Sequence, residues 1–296
     1  MEKQRRKLNL VKARRRVRMR SALLLTLGAF ALTALVRGLL SLPALAAVPR
    51  GAATLLETAC TVLAFGGGAY LGLCVLDGDH RSIVPMRRLS RAQMRWLALL
   101  GVLAVCPMAL ISDLTDALRG MRAAGASQAA AANAALLVKR VLIVPVCEEL
   151  FFRGYLLPAL SPQGRLRASV IVSLCFALMH GSALTAHAAL GLLLCLLTIQ
   201  TGSLLAPILV HAGCNLALTA LGALGLSGLL MGWSLPACIV KATGCAAFAA
   251  VLKRAVTARP AGGTFALWEG EGLTKRETAL LASAAALLLL SMIVGG

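Results

Sequence analysis

Acidic side chains are scarce in this 296-residue chain: 11 Asp and Glu stand against 30 Lys and Arg. Aromatic residues make up 4% of it and charged residues 14%. So low a charge density does not solvate a globular surface, which excludes an ordinary soluble domain. Histidines number four, and none stands in an H-E-x-x-H pair. A G-x-S-x-G elbow, a P-loop and a dinucleotide fingerprint are also absent, so the commonest hydrolase and nucleotide-binding signatures do not apply. Nine cysteines occur, but no two form a C-x-x-C pair. Nearly all lie within apolar runs, so they read as small core residues and not as a disulfide frame or a zinc site.

What is abundant is oil. The chain is 59% hydrophobic with a mean hydropathy of +0.85, and long apolar runs recur from Ser21 onward. The predicted fold class is all-α, a polytopic transmembrane helical bundle of about eight to nine spans. Continuous rather than alternating apolar runs argue against a β-barrel. The net charge of +19 would suggest nucleic acid in a soluble protein. Here the cations fall in loops and set topology by the positive-inside rule, so no nucleic acid is expected. Residues 1–20 form a basic arm, with Arg14, Arg15 and Arg16 at its centre, that anchors the first helix on the cytoplasmic side against the lipid bilayer. A cleavable signal peptide ending at Leu42-Pro43-Ala44-Leu45-Ala46-Ala47 is the other reading. The long arm and the extended apolar run favour a retained helix.

Spans are expected near 21–40, 52–76, 96–111, 127–157, 168–180, 187–199, 204–221, 229–252 and 278–294. The basic loops 77–95, 161–167 and 253–277 all fall on the side of the N-terminus. This predicts a multi-pass cell-membrane protein with a cytoplasmic N-terminus. Asp113, Asp116, Arg119 and Arg122 are assigned to an external loop. Glu57 reads as interfacial, and Lys241 as buried or snorkelling. Pro145 is expected to kink its helix, Pro158 to end it, and Gly181-Ser182 to break the chain between spans.

The stretch Cys147 to Tyr155 places Glu148, Glu149 and Arg153 within apolar sequence, where each charge costs a few kcal/mol. Glu149 and Arg153 are four apart and share a helix face. Glu148 is rotated about 100° away and is free for another task. His180 follows Phe176 by four residues, and Asn215 follows His211 by four, each pair on one helix face. His80 reads as solvent-exposed and His187 as interfacial. Together these residues make either a structural polar network or a polar active site, and the chemistry such a site supports is hydrolysis. Glu148 would act as general base on a water, with His180 holding it, and His211 and Asn215 would donate to an oxyanion. The alternative is Zn or another divalent metal held by Glu148, His180 and His211, activating its bound water.

Glu-Glu-x-x-x-Arg, Phe-x-x-x-His and His-x-x-x-Asn, in that order on separate membrane helices, resemble the CPBP family, the CAAX-protease and bacteriocin-processing (Abi) intramembrane proteases. The resemblance spans about Val141 to Ala217. It implies a catalytic set of Glu148, Glu149, Arg153, His180, His211 and Asn215. Glu148 would activate water with His180, and Glu149 would pair with Arg153. It implies an endopeptidase acting on a peptide or protein substrate, prenylated or leader-bearing, with or without a metal. Four regions follow: the arm 1–20, N-terminal transmembrane helices 21–126, a CPBP-like catalytic core 127–252, and a cytoplasmic loop with the last helix 253–296. The cavity is expected to open towards the cytoplasm, because a basic loop follows Glu148. A non-catalytic membrane scaffold or bacteriocin self-immunity protein is the alternative.

Overall fold

In a bilayer every backbone N–H and C=O needs an internal partner, so the apolar runs wind into helices. The computed structural model describes residues 2–43, 48–77, 84–120, 134–180 and 183–257. Eight helices carry these residues. Helix α1 is Glu2–Leu40. Helix α2 is Arg50–Thr61, continued through Val62–Gly67, Gly68–Tyr70 and Leu71–Asp77, two of these stretches being π-wound. Helix α3 is Arg91–Leu118. Helix α4 begins at Ala134–Val138 and runs through Lys139–Ile143, Val144–Glu149 and Leu150–Leu156 to Leu157–Leu160. The remainder are α5, Arg165–Leu178; α6, Leu184–Thr201; α7, Leu205–Ala223; and α8, Leu235–Thr257.

The all-helical class holds. Among the described residues there is no strand, only an isolated bridge between Met86 and Ser203. Among the described residues six helices are long and apolar enough to cross a membrane: α1 from Arg20, then α2, α3, α6, α7 and α8. Two of the expected spans miss this measure, for identifiable reasons. Helix α4 carries Lys139, Arg140, Glu148, Glu149 and Arg153, and α5 has only 14 residues. The expected last span, the loop before it, His80 and the Gly181-Ser182 break lie outside the described residues. So do the Ala-rich segment at 121–133 and most of the Leu42–Ala47 site.

Two local expectations change. Asp113 and Asp116 sit inside α3, not in a loop, and Asp113 is buried beside Lys241 of α8. That ion pair is joined by Gly232 N–H donating to Asp113 Oδ1 at 3.2 Å and Lys241 Nζ donating to Gly232 O at 2.6 Å. Two charges this deep are tolerable because each is paired and hydrogen-bonded. Pro158 does not end α4. It occupies the first turn of Leu157–Leu160, where its missing N–H follows the π-wound Leu150–Leu156, and a 3₁₀ turn at Ser161–Gln163 closes the segment. Pro145 is likewise preceded by a π turn, Lys139–Ile143; a widened turn relieves the clash that a proline makes in a regular helix.

Close packing rests on small residues. A Cβ at Gly101 would lie 2.3 Å from Val210 O, and one at Gly213 would lie 2.8 Å from Ala98 O. Both glycines let α3 and α7 touch backbone to backbone, as small residues do between membrane helices. All nine cysteines are free thiols, most of them buried. Large leucines such as Leu24, Leu27, Leu63 and Leu235 face outward, which suits a lipid surround.

Candidate active site

Each polar residue of the site reaches its place through the fold just described. Alternation of helix direction fixes two ends of the bundle. At one end, Ser21 Oγ of α1 lies 3.1 Å from Tyr155 OH of α4. At the other, Arg37 Nη1 of α1 donates to Met179 O at 3.0 Å, just past the end of α5. The first end carries the basic arm. Glu148 lies between the two, midway along α4.

Glu148 and Glu149 are neighbours with separate surroundings. The Glu149 and Arg153 side chains are fully buried, and Arg153 Nη1 donates to Glu149 Oε1 at 2.9 Å. His211 of α7 places Nδ1 2.9 Å from that same oxygen. Arg153 Nη2 donates to Gly191 O of α6 at 2.8 Å, and its guanidinium lies 4.7 Å from the centre of the Phe176 ring. One buried cation thus binds α4 to α5 and α6, while the carboxylate it neutralises binds α7. Such a charge-assisted network holds its members rigidly and commits Glu149 Oε1 to two partners, while its Oε2 has none among the described residues.

Glu148, 7% exposed, points instead into a cavity of about 450 Å³ that it shares with His180, His187 and Asn215. Its Oε2 lies 4.0 Å from His180 Nε2 and has no hydrogen-bond partner among the described residues. His180 Nδ1 is 2.8 Å from Phe176 O. A carbonyl only accepts, so that nitrogen carries the proton and Nε2 presents its lone pair to the cavity. His187 is held the same way, Nδ1 to Ala183 O at 2.8 Å. The two imidazoles stack, with centres 4.2 Å apart and planes 17° apart. Phe176 touches this pair and His211, with ring centres 4.5 Å from His180 and 5.6 Å from His211.

The expected set therefore divides. Glu148, His180 and Asn215 line the cavity, whereas Glu149, Arg153 and His211 form the buried network beneath it. Asn215 Nδ2 already donates to Arg140 O at 2.8 Å, so one of its two N–H groups is committed. His211 turns Nδ1 to Glu149 and, 2% exposed, does not itself line the cavity. His187, read as interfacial, belongs inside. Its seven-residue distance from His180 was the available signal, since so short a separation keeps the end of α5 near the start of α6. Glu57 and Lys139, an ion pair, also line the cavity.

The cavity does not open where the basic loop after Glu148 suggested. Its lining comes from the end of α1 near Arg37, the first part of α2, the first half of α4 and the later part of α7. All of these lie towards the end of the bundle opposite the basic arm. A loop's charge marks the side on which a helix ends, but Glu148 faces the half in which its helix begins.

As for a metal, among the described residues no three of His, Cys, Asp and Glu converge closely enough to hold one.

Residues 130–217 match the model of a family described as type II CAAX prenyl endopeptidase Rce1-like, consistent with the CPBP family. The matched stretch contains the whole of the constellation from Glu148 to Asn215. No curated protein and no solved structure matches the chain.

Proposed function

We propose that this chain is an intramembrane endopeptidase in which Glu148 activates a water for attack on a peptide bond near the membrane surface. The observation that carries this reading is the division of labour between neighbouring carboxylates. Glu149 is neutralised by Arg153 and held by His211, whereas Glu148 lines the cavity with its Oε2 4.0 Å from an imidazole nitrogen. The match over residues 130–217 supports the same activity.

In this mechanism a water seated to one side of Glu148 and His180 donates one hydrogen to each. Glu148 takes the proton as the water adds to the scissile carbonyl, and later passes it to the leaving amine. His180 Nε2 orients the nucleophile, and His187, stacked on it, supplies a second lone pair at the cavity wall. The remaining N–H of Asn215 donates to the oxyanion, and His211, held by Glu149, packs against Phe176 beneath His180. Arg153 and Glu149 act through His211 and are positioning residues. Substrates that fit this chemistry are a prenylated CAAX-type tail or a leader-bearing peptide. A divalent cation is the other way to activate the water. Stoichiometric zinc in purified protein, lost in both His180→Ala and His211→Ala, would establish it.

The test is a comparison of new protein termini in cell membranes that contain the wild type or Glu148→Gln. A set of termini that depends on Glu148 is expected. Identical termini would overturn the reading. A cellular phenotype that survives loss of both Glu148 and His180 would favour a scaffold or immunity protein instead.

A further inference from the structure

The position of the cavity within the bundle bears on which side of the membrane its substrate comes from. Arg37 ends α1, Glu57 lies near the start of α2, and Lys139 near the start of α4. His180 follows the end of α5, His187 is in the first turn of α6, and Leu218 is in the later part of α7. All six line the cavity, and helix direction puts all six towards the same end of the bundle. It is the end that Arg37 shares with Met179, and the one away from Ser21 and Tyr155.

The charges divide the other way. Lys and Arg crowd the end of the basic arm, which also carries Arg87, Arg88, Arg165, Arg167, Lys253 and Arg254. At the cavity end cations are fewer, and two of them, Lys139 and Lys241, are paired with Glu57 and Asp113. Positive charge near span ends marks the cytoplasmic face. Depth agrees with this division, because the route from Glu148 to the basic face is filled. Phe151, Phe152, Tyr155, Leu156 and Leu157, which follow it along α4 in that direction, are all fully buried.

We infer that the site takes its substrate from the non-cytoplasmic face: a polypeptide segment at the outer membrane surface, such as a translocated leader or the membrane-proximal stretch of an exported protein, and not a cytoplasmic C-terminal tail. The inference rests on the peptidase reading for its chemistry, and on the fold together with the distribution of Lys and Arg for its sidedness. The mouth suits such a segment. Arg37 and Arg140 are exposed at its rim, and both can receive a carboxylate or backbone carbonyl of an extended chain.

Sidedness is tested without reference to cleavage. Full-length wild type, Leu218→Cys, Thr61→Cys and Arg88→Cys are expressed in spheroplasts and treated with a sulfonated, membrane-impermeant maleimide, before and after permeabilisation. Labels are counted by intact mass against the wild type. Leu218→Cys and Thr61→Cys, both on the cavity wall, should each gain one label in sealed spheroplasts. Arg88→Cys should gain its label only after permeabilisation. If neither cavity variant gains a label until the membrane is opened, or at all, the inference fails. Its failure would leave Glu148-dependent cleavage untouched, and loss of that dependence would leave the labelling pattern untouched.

Discussion

The imidazoles of His180 and His187 lie parallel, 4.2 Å between centres, at the junction where α5 hands the chain to α6. Each is fixed by a bond from Nδ1 to the carbonyl four residues earlier, so both present Nε2 to the cavity of Glu148. If both serve the reacting water, removing either should slow turnover while sparing the fold. His180→Ala is expected to lose about 10²–10⁴-fold in kcat/KM, the usual contribution of a positioned acid–base group. His187→Ala should lose less, on the order of tenfold, since its imidazole stacks on His180 and it is His180 that lies 4.0 Å from Glu148 Oε2. Steady-state cleavage with both variants, alongside their thermal midpoints, checks this. An unaltered His187→Ala would return that residue to a purely structural role.

The Glu149–Arg153 pair predicts a different phenotype. Both side chains are fully buried, and removing one strands the other. Arg153→Ala should therefore destabilise the protein by about 3–5 kcal/mol. Arg153→Met combined with Glu149→Gln should recover part of that loss, since neither buried charge then remains uncompensated. Melting curves of the single and double variants in mild detergent decide the matter. Equal losses in both would show that the pair is not coupled.

Gly101 and Gly213 predict a packing effect transmitted to the site. A methyl at Gly101 would meet Val210 O at 2.3 Å, one residue before His211. Gly101→Ala should push α7 away from α3, cost about 1–3 kcal/mol, and reduce cleavage by displacing His211. Ala at Gly28, which has open space around it, serves as the control and should be silent on both counts.

The Asp113–Lys241 pair lies apart from the cavity and outside residues 130–217. Asp113→Asn should lower the thermal midpoint while leaving the kcat/KM of the surviving folded protein unchanged. A selective loss of activity at unchanged stability would contradict this assignment.

The helical class and most of the site could be read from the sequence because they rest on local spacing. Glu149 and Arg153, Phe176 and His180, His211 and Asn215 are each four apart, and a helix brings such pairs to one face whatever surrounds it. What spacing could not convey was the pairing between helices. His211 was assigned to the oxyanion, and only the packing of α7 against α4 shows that its Nδ1 is engaged by Glu149. His187 and Asp113 were misplaced for the same reason: one looked interfacial and the other looked like a loop residue until α6 and α8 were set beside them. The direction in which the cavity opens was also out of reach, because it depends on which half of α4 is covered and which is left open.

The most direct test of the central claim sets Glu148→Gln beside Glu149→Gln and measures both cleavage rate and thermal midpoint for each. The account predicts that Glu148→Gln folds with a midpoint close to the wild type and cleaves at least about 100-fold more slowly. Glu149→Gln should melt at clearly lower temperature, because Arg153 loses its counter-charge. Near-wild-type cleavage by Glu148→Gln would contradict the account, whatever became of Glu149.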